Sequence, residues 1–173
     1  AAKFASPYDF NPLNVNPLKE VLGELVDFER VRACDKIKLF IGATNVETGR
    51  IRVFDHSELT ADHILASACL PQLFQAVTID GVPYWDGGFT GNPALFPLFQ
   101  VEATRDIVIV QINPLSRSGV PRTPTDITAR VNEINFNASL LSELRAIEFV
   151  GRLIDESRLP EGRYRKMLVH CSW

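Results

Sequence analysis

Val82-Pro83-Tyr84-Trp85-Asp86-Gly87-Gly88-Phe89-Thr90-Gly91-Asn92-Pro93 is the stretch on which the reading of this chain turns. A short apolar run ends in one carboxylate, and two glycines follow at once. A carboxylate on a strand end, with backbone behind it that can turn sharply, is well placed to act as a general base. Gly87 and Gly88 can take positive φ, and without a Cβ they let another segment approach closely. Asn92 is predicted to cap a following helix with Pro93 in its first turn. The same residues also read as a plain strand–turn–helix joint in which Asp86 accepts only turn hydrogen bonds.

Upstream, Ala76 to Ile79 and Val82 to Trp85 flank Asp80-Gly81, a favoured two-residue hairpin turn, so the second arm delivers Asp86. Thr60 is predicted to cap a helix from Ala61 to Ala68 that Pro71 stops. Ile37 to Ile41 reads as a buried strand and Gly42-Ala43-Thr44-Asn45 as the turn out of it. Glu47-Thr48-Gly49 is a second turn, and Ile51 to Phe54 alternates as a half-buried strand. Leu18 to Val31 has helical spacing, with Leu18, Val21, Leu22, Leu25, Val26 and Phe28 on one side. Residues 1–17, broken by Pro7, Pro12 and Pro17, read as an extended connector.

Downstream, Pro93 to Phe99 is predicted helical, with Pro97 bending or ending it. Ile107 to Ile112 is a second buried apolar run, and Pro114 to Pro124 a polar loop. Thr125 or Asp126 is expected to cap a long helix over residues 125–157. On it Ile127, Val131, Ile134, Ala138 and Leu141 form one stripe that turns polar at Arg145 and Glu148. Leu140, Leu144, Ile147 and Leu153 carry the apolar face on. Pro160-Glu161-Gly162 is a turn and Lys166 to His170 a last strand. Strands alternate with helices, which predicts a layered α/β architecture.

A chain of 173 residues is long enough for one domain with a real core, and 46% hydrophobic against 23% charged residues is the balance of a globular protein. The net charge of -3, with no long basic run, gives nucleic-acid binding no support. Arg163, Arg165 and Lys166 read as a solvated face. Cys34, Cys69 and Cys171 are odd in number and lack metal-ligand spacing, which predicts reduced thiols and a cytoplasmic setting. No apolar run has transmembrane length. There is no initiator Met, and the first residues read like the middle of something.

The order of signals between residues 37 and 99 resembles the patatin-like phospholipase family, in its bacterial branch. The resemblance is carried by Gly42-Ala43-Thr44-Asn45-Val46 with Thr48-Gly49, by Ala66-Ser67-Ala68-Cys69-Leu70-Pro71, and by Trp85-Asp86-Gly87-Gly88 with Asn92-Pro93. Gln111-Ile112-Asn113-Pro114 and Tyr8-Asp9-Phe10-Asn11-Pro12-Leu13 also look like segments of that branch. The resemblance implies a three-layer α/β/α fold and a Ser–Asp dyad that hydrolyses acyl esters of lipids, as a phospholipase, lysophospholipase or esterase. It places the dyad aspartate on Asp86, the active-site turn on Gly87 and Gly88, and the anchor of the next helix on Asn92. Ser67 and Pro71 would be active-site neighbours. No metal or organic cofactor is implied. A carboxylate can take a serine proton directly when it is close and partly desolvated, and Trp85, Phe89 and the helix after Pro93 would supply the apolar surroundings.

The sequence departs from the family pattern in one respect. The nucleophile of the family sits on a Gly-x-Ser-x-Gly elbow upstream of the Asp-Gly-Gly, behind a glycine-rich oxyanion loop, and neither motif occurs in these 173 residues. Residues 1–173 are therefore expected to form a single C-terminal portion of such a domain, inactive alone. The partners expected are a lipid or ester substrate, a preceding segment or companion chain carrying the serine, a second copy in a homo-oligomer, and a membrane surface touched transiently. A non-catalytic interaction or scaffold subunit is the alternative, since open sheet edges and uncovered apolar surface favour association.

Other residues invite rival readings. Ser67 follows His63 by four positions on one helical face and so within reach of it, although a small residue in Ala-Ser-Ala more often packs. His56 and His170 have no partner pattern. Asp55-His56 with Asp62-His63 lacks a helical ligand motif for a metal. Cys69, among small apolar residues, is expected to pack as a small hydrophobe. Leu95-Phe96-Pro97-Leu98-Phe99 reads as a core-facing helix, or else as a lip that touches lipid.

Overall fold

The computed structural model describes residues 5–100, 104–160 and 164–172. The fold is mixed α/β, as the alternation of elements predicts, and the chain divides into two compact units, Ala1–Pro93 and Ala94–Trp173.

The first unit opens with helix α1 at Pro7–Phe10, so the expected extended connector contains one helical turn, closed by Asp9 accepting from the Ser6 N–H and hydroxyl. The helix expected from Leu18 to Val31 is two helices, α2 at Pro17–Leu25 and α3 at Phe28–Arg32. Asp27 divides them: its carboxylate caps α3 by accepting from the Arg30 N–H at 3.0 Å, which requires the extended backbone that Val26 and Asp27 adopt. Strand β1 is Phe40–Asn45 and β2 is Ile51–Asp55. The strand expected at Ile37 to Ile41 thus lies further along, and Gly42-Ala43-Thr44-Asn45, read as a turn, is its body. The turn begins at Asn45, whose side chain accepts from the Glu47 and Thr48 N–H groups before Gly49 reverses the chain at φ +65°. Ile37 and Leu39 remain exposed.

Helix α4 is Ala61–Ser67 with Thr60 at its N-cap. Strands β3 at Val77–Ile79 and β4 at Val82–Asp86 form the predicted hairpin. Asp80 and Gly81 both take positive φ, 50° and 80°, the requirement of a tight turn between twisted strands. The sheet order is β2-β1-β4-β3, all neighbours antiparallel. Ala43, Phe54, Leu59, Ala66 and Tyr84 form its core, with Val31, Ile41, Val77, Ile79 and Val82 packed around them. Each fully buried large side chain here contributes about 1.5–3 kcal/mol.

In the second unit no helix runs from Pro93 to Phe99. Pro97 has no N–H to give the Pro93 carbonyl and its ring crowds that carbonyl, so a regular helix is interrupted there and a 3-10 turn forms at Phe96–Gln100. Strand β5 is Asp106–Val110, helix α5 is Pro124–Asp155, and β6 is Leu168–Ser172, two residues beyond the expected strand. The cap of α5 is Thr123, not Thr125 or Asp126. Its hydroxyl accepts from the Asp126 N–H while donating to the Asp126 carboxylate, and Pro124 takes the position where no N–H is needed. Strands β5 and β6 pair in parallel, Ile107 opposite Val169 and Ile109 opposite Cys171.

Only one face of β5 is buried: Ile107 and Ile109 join Leu95 and Leu140 in the core, whereas Val108 and Val110 point outward. Of the two stripes on α5, Leu140, Leu144 and Ile147 face this core, and Ile127, Val131, Ile134 and Leu141 are exposed. The Pro160-Glu161-Gly162 turn and Arg163 lie at or beyond the edge of the described residues. Arg165 donates to the Phe99 carbonyl and Lys166 pairs with Asp155, so those two cations are engaged locally.

Candidate active site

Strand β4 ends at Asp86, and every polar group of this residue but one is held. Its N–H donates to the Cys69 carbonyl at 2.9 Å. Its carbonyl accepts from the Thr44 hydroxyl at 2.8 Å. Its carboxylate Oδ1 accepts from the Gly88 N–H at 2.7 Å. Carboxylate Oδ2 accepts nothing among the described residues. The aspartate is half-buried, so this free oxygen belongs to a group that is neither solvated like a surface carboxylate nor sealed away.

The two glycines work through one of the two properties expected of them. Neither has positive φ; they form a 3-10 turn, Gly87–Phe89, for which the Asp86 carboxylate is the cap. What Gly87 supplies is room. A Cβ on it would lie 2.2 Å from the Gly42 carbonyl oxygen on β1. The backbones of β1 and of the turn after β4 touch there, where Ala43 pairs with Asp86. No α-helix starts after Asn92, so the helix expected to follow it and to shield Asp86 is absent among the described residues. Trp85 is half-buried and Phe89 is exposed over half its surface.

Ser67 ends α4 with its side chain partly exposed, and Pro71 lies just beyond. No hydrogen bond joins Ser67 to His63 among the described residues. His63 is committed elsewhere: its Nδ1 accepts from the Thr60 N–H at 3.0 Å, and its ring meets Phe54 edge-on at 4.4 Å. Burial, the largest influence, pushes its pKa down against the pull of Glu58, Asp62 and Asp80. Accepting through Nδ1 fixes the neutral tautomer with its proton on Nε2.

Cys69 is 1% exposed and donates to the Gln75 carbonyl at 3.2 Å. Burial, with the nearby Asp86 carboxylate adding to it, pushes its thiol up, which makes it a poor nucleophile and fits the packing role expected. Asp55 turns to the Ser57 N–H and hydroxyl, and Asp62 to Lys19, so the two Asp-His pairs do not converge. No group of three or more His, Cys, Asp or Glu side chains is placed to hold a metal ion among the described residues. His170 has the partner its sequence context did not suggest: its Nε2 lies 2.9 Å from Asp106 Oδ1 on the neighbouring strand, at an exposed edge. Leu95 and Pro97 are buried and Leu98 packs on the core, whereas Phe96 and Phe99 stay partly exposed, so that segment divides between the two expectations.

The residues missed by the sequence reading are Gly42, Thr44 and Thr90. Thr44 is 5% exposed, and its Oγ1 lies 2.8 Å from that of Thr90. Because the single Thr44 proton goes to the Asp86 carbonyl, Thr90 donates to Thr44. A signal was present. Asn45-Val46-Glu47-Thr48-Gly49 is itself a complete turn, so the four residues before it had to be strand. A strand with Gly42 and Ala43 in sequence is one that another backbone approaches.

No helix of the described residues is long and apolar enough to cross a membrane. No curated protein matches the chain. Residues 10–99 match the patatin-like phospholipase family, a span that takes in β1 to β4, the Asp-Gly-Gly turn and its supports. That span is more than half of the sequence, and the chain belongs to the patatin-like phospholipase family of lipid acyl hydrolases.

Proposed function

We propose that this chain is the base-bearing, C-terminal portion of a patatin-like serine hydrolase of the bacterial branch, with Asp86 as general base of a Ser–Asp dyad. The observation that carries the reading is the unpartnered Oδ2 of Asp86, on a residue whose other polar groups are all bonded. The serine would come from sequence outside these 173 residues, on a preceding segment or companion chain. Its hydroxyl proton passes to Oδ2 as Oγ bonds to the ester carbonyl carbon. The tetrahedral oxyanion collapses, and the leaving alcohol takes the proton back from Asp86. Water then attacks the acyl-enzyme, gives a proton to Asp86 in turn, and releases the carboxylic acid while the proton returns to serine. For this the serine oxygen must come within about 2.6–3.2 Å of Oδ2. The substrate is a lipid or simple ester, met in the cytoplasm or at a membrane surface.

The test is hydrolysis of a chromogenic ester by the complete gene product and by its Asp86→Asn variant. Loss of roughly 10²–10⁴-fold in kcat with the fold intact is expected for removal of a general base. Wild-type kcat in Asp86→Asn would sink the reading. A second reading, a non-catalytic interaction subunit, is favoured by the apolar surface exposed on β5 and at Ile112, two residues past its end: Val108 is 67%, Val110 78% and Ile112 93% accessible. A complete gene product with no ester hydrolysis, recovered in association with another chain, would establish that reading instead.

A further inference from the structure

We propose that Thr44 and Thr90 are positioning residues for the general base, acting as a two-hydroxyl relay that fixes the peptide plane behind Asp86. The proposal rests on the reading of Asp86 as that base. Thr90 donates to Thr44, and Thr44 to the Asp86 carbonyl, each over 2.8 Å. The Thr90 N–H in turn donates to the Gly87 carbonyl at 3.1 Å, so the residue that starts the relay also closes the turn that the relay holds.

The geometry assigns these hydroxyls a task that packing does not. Thr44 sits on β1 beside Ala43, which pairs with Asp86. A buried strand position that only needed bulk would be met by valine, which has the same shape and better burial. Here a hydroxyl reaches across the sheet to the one carbonyl that directly precedes the Gly87 peptide. The orientation of that carbonyl sets where Gly87 and Gly88 go, and the Gly88 N–H holds Oδ1. Oδ2 is then aimed by elimination: with the backbone fixed on both sides and Oδ1 tied down, rotation of the carboxylate is blocked. The relay thus acts on the base through the backbone and touches no substrate.

The test is steady-state ester hydrolysis by the complete gene product carrying Thr44→Val, Thr44→Ser, Thr90→Val or both valines, with Asp86→Asn beside them. Thr44→Val should lower kcat about ten- to a hundredfold with KM unchanged, the pattern of a misaimed reacting group. Thr44→Ser, which keeps the hydroxyl, should restore kcat to within about threefold on the same reasoning. Thr90→Val should give a smaller loss. The double variant should be no worse than Thr44→Val, because both act through one bond. Faster amide exchange at Gly88 should accompany each loss.

Wild-type kcat in Thr44→Val overturns the proposal. So does a Thr44→Ser loss equal to that of Thr44→Val, which would assign the effect to the methyl group and packing. Should Thr44→Val fail to fold, Thr90→Val at its half-buried site decides, and wild-type kcat there overturns the relay. Activity surviving in Asp86→Asn removes the base reading and the proposal with it. An inactive Asp86→Asn beside fully active threonine variants removes the proposal alone.

Discussion

The two units of this chain hold their backbones by the same device with opposite electrostatics. In the first, the buried His63 imidazole accepts the Thr60 N–H at the start of α4. In the second, the half-buried Glu143 carboxylate on α5 accepts the Leu95 N–H ahead of the 3-10 turn. Both acceptors are partly desolvated, and burial penalises whichever form is charged. For histidine that is the protonated form, so burial pushes the His63 pKa down. For glutamate it is the deprotonated form, so burial pushes the Glu143 pKa up, although the Leu95 and Phe96 N–H groups pull the other way. One unit therefore rests on a side chain that resists gaining a proton, and the other on a side chain that resists losing one. The units differ in steric tolerance as well. The first brings two backbones into contact at Gly42 and Gly87, while the second packs one face of a two-stranded sheet and leaves the other open.

The steric side of this contrast should give the largest effect. Gly87→Ala places a methyl 2.2 Å from the Gly42 oxygen, and the atoms it meets are all backbone, so no side chain can swing away. We expect a loss of about 3 kcal/mol or more, at or above the usual cost of overpacking, read as a lowered urea midpoint. Gly23→Ala, in α2 with open space around it, should instead stabilise by about 0.5–1 kcal/mol. If the two variants behave alike, the close approach at Gly87 is not a constraint.

The electrostatic side comes next. Because the folded-state pKa of His63 is lowered, the unfolded chain takes up the proton first. The stability this residue supports is full above the ordinary histidine value of about 6.5 and is lost as pH falls below it. Amide protection at Thr60, corrected for intrinsic exchange, should fall between pH 7 and 5. His63→Gln keeps an acceptor at the third helical position and has no proton to gain. It should flatten that dependence, at a cost of about 1 kcal/mol for the lost edge contact with Phe54. A Thr60 protection profile that is already flat in the unaltered protein would break the comparison on this side.

The same contrast explains which parts of the fold and site could be read from the residues alone. The β3–β4 hairpin was legible because Asp80-Gly81 carries its own backbone requirement, and the place of Asp86 at the end of β4 because its turn residues lie next to it in sequence. The α5 span was legible from its length and spacing to within two residues. Asp27, Thr123 and Pro97 moved element ends because each acts through a single hydrogen bond made or denied, which periodicity does not record. Thr44 and Thr90 were invisible for a stronger reason. They are 46 positions apart, and their contact exists only once β1 lies against β4. The outward face of β5 was misread because Ile107 to Val110 is apolar at every position, so alternation could not show that only Ile107 and Ile109 are covered.

The smallest effect, and the sharpest test of sign, lies with Glu143. Its raised pKa means that the folded state holds the proton more tightly than the unfolded chain. The stability linked to that proton is full below the ordinary glutamate range and is lost as pH rises through the folded value. Glu143→Gln keeps an oxygen for the Leu95 N–H and removes the charge that burial penalises. At neutral pH it should raise protection of the Leu95 amide, with a gain of no more than about 1 kcal/mol because solvent screens a half-exposed group. The gain should vanish below about pH 4, where the wild-type side chain is itself protonated. The competing term is the charge-assisted bond, since a carboxylate accepts an N–H more strongly than an amide oxygen does. If Glu143→Gln loses protection at neutral pH, that bond outweighs burial. The second unit would then share the first unit's preference for neutral pH, and acid would weaken both units.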